Sequence, residues 1–361
     1  MIDDNCSIIG VDHLEFYVGN AKQAAFFYSH CFGFNVVAYQ GLETGNRKVT
    51  SYVMEQGDIR FVLSSTMDPE HPIAQSVLRH GDTIAVIALE VPDAAQAYDH
   101  AIAHGAVGVI PCTDHEDEHG ILRFAAVRTF GDAWVKFVER KHYVGNFAPG
   151  FVARAARHQS VGLTRIDHIV GNVERGMMNS WVDFFMQTMG FELRMHFDDR
   201  AISTEYSALM SKVLQKGGKT IVNINEPADG LRKSQIEEYL DFHYGPGIQH
   251  IGLATEDIVA TVVRLKAAGV EFLPIPKTYY DDLGDWVQEL EIPVDKLAEL
   301  GILVDRDDDG YLLQLFTKPV GDRPTLFFEI IERHGSRGFG AGNFKSLFVA
   351  IEREQSLRGN L

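Results

Sequence analysis

An internal repeat is the feature that most limits how this chain can fold. The segment GVDHLEFYVGNAKQAAFFYSHCFGFNVVAY at residues 10–39 resembles RIDHIVGNVERGMMNSWVDFFMQTMGFELRMH at residues 165–196. Each copy begins with a short apolar strand that contains Asp-His, continues through an amphipathic helix and returns to a strand. Gly33 and Gly190 lie where a helix C-cap glycine is expected. Both copies therefore predict the same strand-helix-strand unit.

Two further pairs of segments extend the repeat in the same order along the chain. In the first pair a buried strand leads into a helix that ends at glycine, and in the second an apolar strand carries one charged residue. The paired segments are residues 83–109 with 247–273, and residues 133–140 with 326–333. The offset between copies grows along the chain, so the insertions lie in the second half. Three matches in one order indicate a duplicated unit.

These patterns predict an α+β fold with two similar halves. Each half is expected to contain paired βαβββ modules that form a curved mixed sheet with helices on its outer face. We place the halves at residues 1–150 and 151–361, with residues 141–163 as the connector and the active site in the second half. The largest insertion, residues 274–310, is predicted to be an elaborated loop that contains a short helix at DKLAEL.

Composition excludes several classes of partner. The formal charge of −17 argues against broad nucleic-acid binding, which relies on Lys and Arg. Cys6, Cys31 and Cys112 have no metal-binding or redox spacing and are expected to be free thiols in a reducing compartment. We find neither a signal peptide nor an apolar run that approaches the ~20 residues of a membrane-spanning helix. We therefore expect a soluble, cytoplasmic protein without a membrane partner.

The two halves differ at three polar positions of the repeat. The corresponding residues are His13 and His168, Val86 and His250, and Lys136 and Glu329. Only the second half thus offers two imidazoles and a carboxylate, which is the ligand set of non-haem Fe(II) sites with open coordination positions. Zn(II) can use the same ligands but usually leaves fewer positions open. A lysine in place of the glutamate would repel a dication, so the first half is not expected to bind metal.

Each of these residues also has an ordinary structural explanation. A single histidine in a strand is more often a hydrogen-bonded core residue than a ligand, and we assign His13 to that class. Glu329 lies within the apolar run TLFFEIIER, where an ionised carboxylate needs a partner or a metal. A salt bridge to an arginine would satisfy it. The coincidence of His168, His250 and Glu329 at matching module positions favours a metal site.

Seven strings in order resemble the 4-hydroxyphenylpyruvate dioxygenase family of the vicinal oxygen chelate superfamily. They are DHIVGN, INEPADG, KSQIEEYL, GIQHI, LLQLFTKP, DRPTLFFEII and GFGAGNFKSLF. The resemblance runs from about residue 8 to the C-terminus and is densest from residue 164 onward. It implies an Fe(II) enzyme of tyrosine breakdown that converts 4-hydroxyphenylpyruvate and O₂ to homogentisate and CO₂. A homo-oligomer, either dimer or tetramer, is expected.

The resemblance also implies roles for individual residues. The family's metal ligands correspond to His168, His250 and Glu329. Its polar pocket residues correspond to Ser211, Asn225, Gln235, Gln249 and Gln314, and its apolar wall corresponds to Phe316, Phe327, Phe339, Phe344 and Leu347. The C-terminal segment is expected to form a lid helix, with Asn343 as its N-cap and Phe344, Leu347, Phe348 and Ile351 on one face.

One position departs from the family pattern. The family usually has proline two residues before the Asn of INEP, whereas this chain has Asn223. The amide adds hydrogen-bonding capacity near the expected substrate ring, so Asn223 is a candidate specificity residue. Two alternatives remain open: hydroxymandelate synthase, which uses the same substrate and ligands, and a non-catalytic binding protein of the same fold. Phe316 and the intact GNF favour the ring-hydroxylating enzyme, and the buried Glu329 argues against a binding protein.

Overall fold

The elements of the two halves follow the order that the repeat predicts. The structure is a computed structural model that describes residues 6–197, 208–218, 220–281, 283, 287, 290 and 292–360. The strands are β1 (Gly10–Tyr17), β2 (Asn35–Gln40), β3 (Val49–Gln56), β4 (Ile59–Thr66), β5 (Thr83–Glu90), β6 (Gly108–Asp117), β7 (Gly120–Arg128), β8 (Trp134–Tyr143), β9 (Val152–Ala153), β10 (Leu163–Asn172), β11 (Glu192–Phe197), β12 (Leu209–Lys216), β13 (Thr220–Pro227), β14 (Gly247–Thr255), β15 (Leu303–Asp307), β16 (Gly310–Phe316) and β17 (Phe327–His334). The helices are α1 (Ala21–Phe32), α2 (Pro72–His80), α3 (Ala94–Ala103), α4 (Met178–Met189), α5 (Gln235–His243), α6 (Ile258–Ala267), α7 (Thr278–Asp281), α8 (Val294–Leu300) and α9 (Phe344–Leu357), with 3₁₀ turns at Leu42–Thr44 and Ala341–Asn343.

Each half forms one mixed sheet with the same strand pairing. The first sheet has the order β6-β7-β8-β5-β1-β4-β3-β2-β9, and the second has the order β11-β12-β13-β10-β14-β17-β16-β15. In the first, β1 and β5 pair antiparallel at the centre, with β4 parallel to β1 and β8 parallel to β5. In the second, β10, β14, β13 and β17 pair in the same way. The predicted fold of paired βαβββ modules is confirmed.

Glycines in the sequence correctly predicted where two helices end. Gly33 and Gly190 end α1 and α4 with φ values of 71° and 67°, the left-handed region that glycine adopts without a Cβ penalty. The short helix expected within residues 274–310 is α8, although residues 282, 284–286, 288, 289 and 291 lie outside the described part of the chain. The connector contributes β9, which pairs with β2 and extends the first sheet three residues beyond the expected boundary at 150.

Cys6, Cys31 and Cys112 are free thiols, as expected. Within the described residues, no helix combines the length and apolar character that crossing a membrane requires.

A shared aromatic core joins the two halves. Phe328 on β17 is fully buried, and its ring lies 5.2 Å from Phe32, 6.0 Å from Tyr28 and 6.1 Å from Phe61, measured between ring centroids. All three partners belong to the first half. Large aromatic rings in such contacts contribute both buried apolar area and specific ring geometry. Since Phe328 precedes Glu329 in the same strand, the first half supports the strand that carries a predicted metal ligand.

The C-terminal ends of α2 and α5, which occupy equivalent positions in the two halves, form a second contact. The rings of His80 and His243, the last residues of these helices, stack with centroids 4.3 Å apart. Arg323 donates hydrogen bonds to the backbone carbonyls of Arg79 and Phe242 and so caps both helices. A cation suits this position because helix C-termini carry partial negative charge.

The buried His243 predicts a pH dependence of stability. Burial lowers its pKa to about 3, whereas an exposed histidine titrates near 6.5. Between these values the unfolded chain binds a proton that the folded chain does not, so the stabilisation is complete above about pH 6.5 and is lost as the pH falls. Urea unfolding of the wild type should lose stability between pH 6.5 and about 4.5 more steeply than His243→Gln, by up to ~1.4 kcal/mol per pH unit. His142→Gln is the control, because His142 is exposed. Equal dependence of stability on pH in the wild type, His243→Gln and His142→Gln would contradict the assignment.

Candidate metal centre

The three predicted ligands lie together on adjacent strands of the second sheet. His168 is on β10, His250 on β14 and Glu329 on β17. Their donor atoms all lie within 4.8 Å of one another. The Nε2 atom of His168 is 3.0 Å from Glu329 Oε2, and the Nε2 atom of His250 is 3.8 Å from the same oxygen. The site lies on the concave face of the sheet and is largely excluded from solvent.

A β-bulge precedes each histidine and orients its ring. Asp167 on β10 and Gln249 on β14 are the extra residues at register shifts between the two strands. A bulge redirects a side chain, and here it brings both polar groups to the neighbouring imidazole. The Nδ1 atom of His168 lies 2.9 Å from Asp167 Oδ2, and that of His250 lies 3.1 Å from Gln249 Oε1. Donation from each Nδ1 leaves both Nε2 atoms free to face Glu329 as ligands.

Arg333 completes this arrangement behind the site. Its Nη2 atom donates to Asp167 Oδ2 at 2.8 Å. Burial opposes ionisation of Asp167, but the hydrogen bonds from His168 and Arg333 hold the pKa of this carboxyl well below its usual range. Asp167 therefore stays an anion beside His168. A charged acceptor at this position fixes the tautomer and raises the basicity of a metal-binding imidazole.

The two imidazoles differ in their electrostatic environment. Burial lowers the pKa of His168, but the carboxylates of Glu329 and Asp167 more than offset this effect and raise it to about 9. Burial, together with the charge of His168, lowers the pKa of His250 well below its usual value. A divalent cation would take the place of the proton that His168 shares with Glu329, so metal binding and proton release are linked.

Gly252 makes room for the first imidazole. It lies opposite His168 in the register of β10 and β14. A Cβ atom at Gly252 would lie 2.3 Å from Cε1 of His168, which is closer than real contacts allow. In the first half the corresponding residue opposite His13 is Ala88. This close approach was not predicted, because the spacing of polar residues in the sequence carries no signal for it.

The same positions of the first half hold a different set of groups. The ladder aligns His13, Val86 and Lys136 with the three ligand positions of the second half, as the sequence alignment predicts. The ammonium of Lys136 lies 4.2 Å from the centroid of the Phe124 ring. Phe147, from the connector, packs edge-on against His13 with centroids 5.2 Å apart. This concave face presents a cation and an aromatic ring where the second half presents a carboxylate and a cavity.

The donor set of the second half fits a divalent transition metal. Two neutral nitrogen donors and one carboxylate oxygen on a single face leave other coordination positions open to small ligands. Both imidazoles already have the hydrogen-bonded partners that metal-binding histidines require. The same donors would also accept Zn(II).

A cavity of about 80 Å³ extends from the three ligands, and most of the predicted pocket residues line it. Predicted residues on its wall are Ser211, Asn223, Asn225, Gln235, Gln249, Phe316, Phe327, Phe339, Phe344 and Leu347. Lining residues that were not predicted are Val170, Phe197, Leu209 and Phe348. Gln314 is buried beside Gly340 and lies outside the lining. The cavity combines amide and hydroxyl groups with an aromatic wall.

Helix α9 closes one side of this cavity with Phe344, Leu347 and Phe348. The helix begins at Phe344, but Asn343 does not cap it with its side chain. Instead, Asn343 Oδ1 accepts a hydrogen bond from the Tyr279 hydroxyl at 2.7 Å. Phe344 packs edge-on against Phe197 with centroids 5.2 Å apart. Asn343 therefore occupies the predicted N-cap position. Its side chain bonds to Tyr279 in the insertion of the second half, and not to the helix backbone.

Comparisons with known proteins identify the family of this chain. The model of the glyoxalase/bleomycin resistance protein/dioxygenase superfamily matches residues 10–133 and 165–315. A curated 4-hydroxyphenylpyruvate dioxygenase from Tetrahymena thermophila is 46% identical over 98% of this chain and 92% of its own. The protein of that name from Dictyostelium discoideum is 45% identical over 98% of this chain and all of its own. The chain belongs to the 4-hydroxyphenylpyruvate dioxygenase family.

A solved structure connects this dioxygenase family to a second activity. A triple mutant of 4-hydroxymandelate synthase from Streptomyces coelicolor superimposes with a TM-score of 0.87 at 31% identity and covers 97% of this chain and 99% of its own. The fold is thus shared by enzymes with different names. The identity of this chain to the curated dioxygenases is higher.

The contact between Asp167 and His168 predicts a loss of metal affinity in Asp167→Asn. The substitution removes the anion that orients the imidazole, and outer contacts of this kind are worth about 10- to 100-fold in metal affinity. Asp12→Asn is a matched control, because Asp12 contacts His13 and Arg140 in the first half as Asp167 contacts His168 and Arg333. Anaerobic Fe(II) titration measures both variants. Equal Fe(II) affinities of Asp167→Asn and Asp12→Asn would show that Asp167 does not support the metal centre.

The close packing at Gly252 predicts that Gly252→Ala displaces the His168 ring. We expect Fe(II) affinity to fall by on the order of 10-fold, since one ligand would lose its orientation. Gly10→Ala is the control, because an added Cβ there would meet no atom within 4 Å. Thermal unfolding shows whether the variant is still folded, and unchanged metal affinity in a folded Gly252→Ala protein would refute the packing argument.

Proposed function

We propose that the protein is an Fe(II)-dependent dioxygenase that converts 4-hydroxyphenylpyruvate and O₂ to homogentisate and CO₂. The observation that carries this proposal is the convergence of His168, His250 and Glu329 at one end of a cavity with an amide-rich and aromatic lining. The proposed substrate is supported by the family, whose curated members carry 4-hydroxyphenylpyruvate dioxygenase in their names. Fe(II) rather than Zn(II) is proposed because the reaction uses O₂.

We also propose how the chain is organised around this activity. Residues 1–150 would form a half without metal, and residues 151–361 the catalytic half with its lid helix α9. A cytoplasmic homo-oligomer, dimer or tetramer, is the proposed form of the enzyme. The free thiols and the net charge of −17 support an intracellular, small-molecule role.

The polar lining would recognise the substrate's oxygen atoms. Ser211, Asn225 and Gln235 supply hydroxyl and amide groups that can bind its carboxylate, keto and hydroxyl oxygens. Asn225 Nδ2 also donates to Asn172 Oδ1 at 3.4 Å, which helps to fix its orientation. Gln249 differs from these residues because its Oε1 already accepts from His250, while its amide NH₂ can donate to a ligand.

The aromatic lining would position the ring and exclude water. Phe327 stacks on His250 with centroids 4.7 Å apart, and Phe316 stands edge-on to both rings at 6.3 Å. A planar substrate ring can pack against these faces. When bound by the triad, Fe(II) would supply chelation of the α-keto acid and activation of O₂. Helix α9 lines one side of the cavity and would keep water out during turnover.

The atom balance of the proposed reaction requires no further cofactor. One oxygen atom of O₂ enters the carboxylate formed on loss of CO₂, and the other becomes the new ring hydroxyl. The substrate itself supplies all the electrons, so no separate reductant is needed. Holding the ring beside the metal site is therefore the main task of the protein in this reaction.

Loss of Glu329 should abolish turnover. Glu329→Ala removes the carboxylate ligand, and we expect no homogentisate and no substrate-dependent O₂ consumption by the Fe(II)-loaded variant. Lys136→Ala, at the equivalent position of the first half, should remain active. An oxygen electrode and product chromatography measure both proteins. Near-normal activity of Glu329→Ala would exclude Glu329 from the metal site.

The same assay distinguishes the competing functions in the wild type. Hydroxymandelate in place of homogentisate would identify the synthase activity. Anaerobic addition of Fe(II) and 4-hydroxyphenylpyruvate should give the weak visible absorption band of a chelated keto acid. Absence of both that band and O₂ consumption would refute the dioxygenase and leave a binding protein.

A further inference from the structure

Asn223 presents an unsatisfied hydrogen-bond acceptor at the wall of the cavity. Its side chain is buried, with 8% of its surface exposed, and lines the cavity. Among the described residues of the lining, Asn223 is the one whose side chain leaves a buried oxygen, Oδ1, without a hydrogen-bond partner. A buried carbonyl oxygen without a partner is costly, so Asn223 Oδ1 favours any ligand that brings a hydrogen-bond donor to it.

The neighbours of Asn223 in the sheet offer no such partner. In the ladder, Asn223 lies beside Val170 on β10 and opposite Val213 on β12, and both are fully buried. Neither valine side chain can donate a hydrogen bond. The polar pair Ser211 and Asn225 lies two residues further along the same strands. Among the described ladder neighbours, no side chain can supply the donor, and the cavity is the side from which a ligand could bring one.

The position of Asn223 relative to the metal centre suits the distal end of a bound substrate. Val170 pairs with Asn223 on one side and with His250 on the other, so the three residues form one row across β13, β10 and β14. Two strand spacings place the backbones of Asn223 and His250 about 10 Å apart. A keto acid held at His250 and its fellow ligands would extend its ring over Val170 towards Asn223.

We propose that Asn223 Oδ1 accepts a hydrogen bond from the ring hydroxyl of the substrate and so makes the pocket selective for hydroxylated over unsubstituted arylpyruvates. This inference rests on the proposed function, because it assumes that the keto acid binds at the triad. A phenol is a good donor, and pairing it with Asn223 would satisfy the buried oxygen. A ligand without the hydroxyl would leave that oxygen unpaired, which disfavours its binding by the worth of one hydrogen bond.

The test compares ligand preference rather than turnover. Dissociation constants for 4-hydroxyphenylpyruvate and phenylpyruvate are measured anaerobically by calorimetry on the Fe(II)-loaded wild type and on Asn223→Leu, which has similar volume and no amide. We expect the wild type to prefer the hydroxylated ligand by about 3- to 10-fold and Asn223→Leu to lose this preference. Asn179→Leu, an exposed asparagine on α4, should keep it.

A second comparison needs no variant. The ligand 4-fluorophenylpyruvate has a substituent of similar size that cannot donate a hydrogen bond, so the wild type should bind it like phenylpyruvate. If Asn223→Leu does not fold, Asn223→Ala provides the same preference measurement.

Three results would overturn the inference. A wild type that binds all three ligands equally would refute it while leaving the proposed function intact, because keto acid binding would remain. A variant that weakens both ligands by the same factor would show that Asn223 only shapes the pocket. A wild type that binds none of the ligands would refute the proposed function and this inference together.

Discussion

Hydrogen bonds donated by the Nδ1 atoms of His168 and His250 orient the two imidazole rings of the candidate metal centre. This orientation is what turns both Nε2 atoms towards Glu329. Asp167 and Gln249 can accept these bonds because each is the extra residue of a β-bulge. In a regular strand they would point away from the imidazoles. Two local irregularities in the ladder thus convert neighbouring residues in the chain into partners on one face.

The duplication shows which parts of this arrangement belong to the fold and which belong to the metal site. Asp12, His13 and Arg140 repeat the contacts of Asp167, His168 and Arg333 in a half that lacks the other two ligands. The bulge and its ion pair therefore stabilise this sheet with or without a metal site. What separates the halves is the pair of replacements at Val86 and Lys136, together with a connector that places Phe147 over His13.

Much of the fold and the ligand positions could be predicted because they follow from periodicity and from comparison of the two copies. Gly33 and Gly190 marked helix ends, and the ligand positions emerged from polar residues within apolar strands. The bulges could not be predicted, since one extra residue leaves no distinct pattern. Contacts between distant segments were also missed: Gly252 under His168 and Tyr279 against Asn343 depend on how strands and an insertion approach one another.

The aromatic contact between the halves has a consequence for how the chain tolerates change. Phe328 lies among Phe32, Phe61 and Tyr28, and its neighbour Glu329 faces the metal site on the opposite side of the strand. Aromatic side chains of the first half thus hold the strand that carries the Glu329 carboxylate in place. Substitutions on the concave face of that half leave this support of Glu329 intact, whereas the loss of one of these rings would loosen the strand that carries the carboxylate.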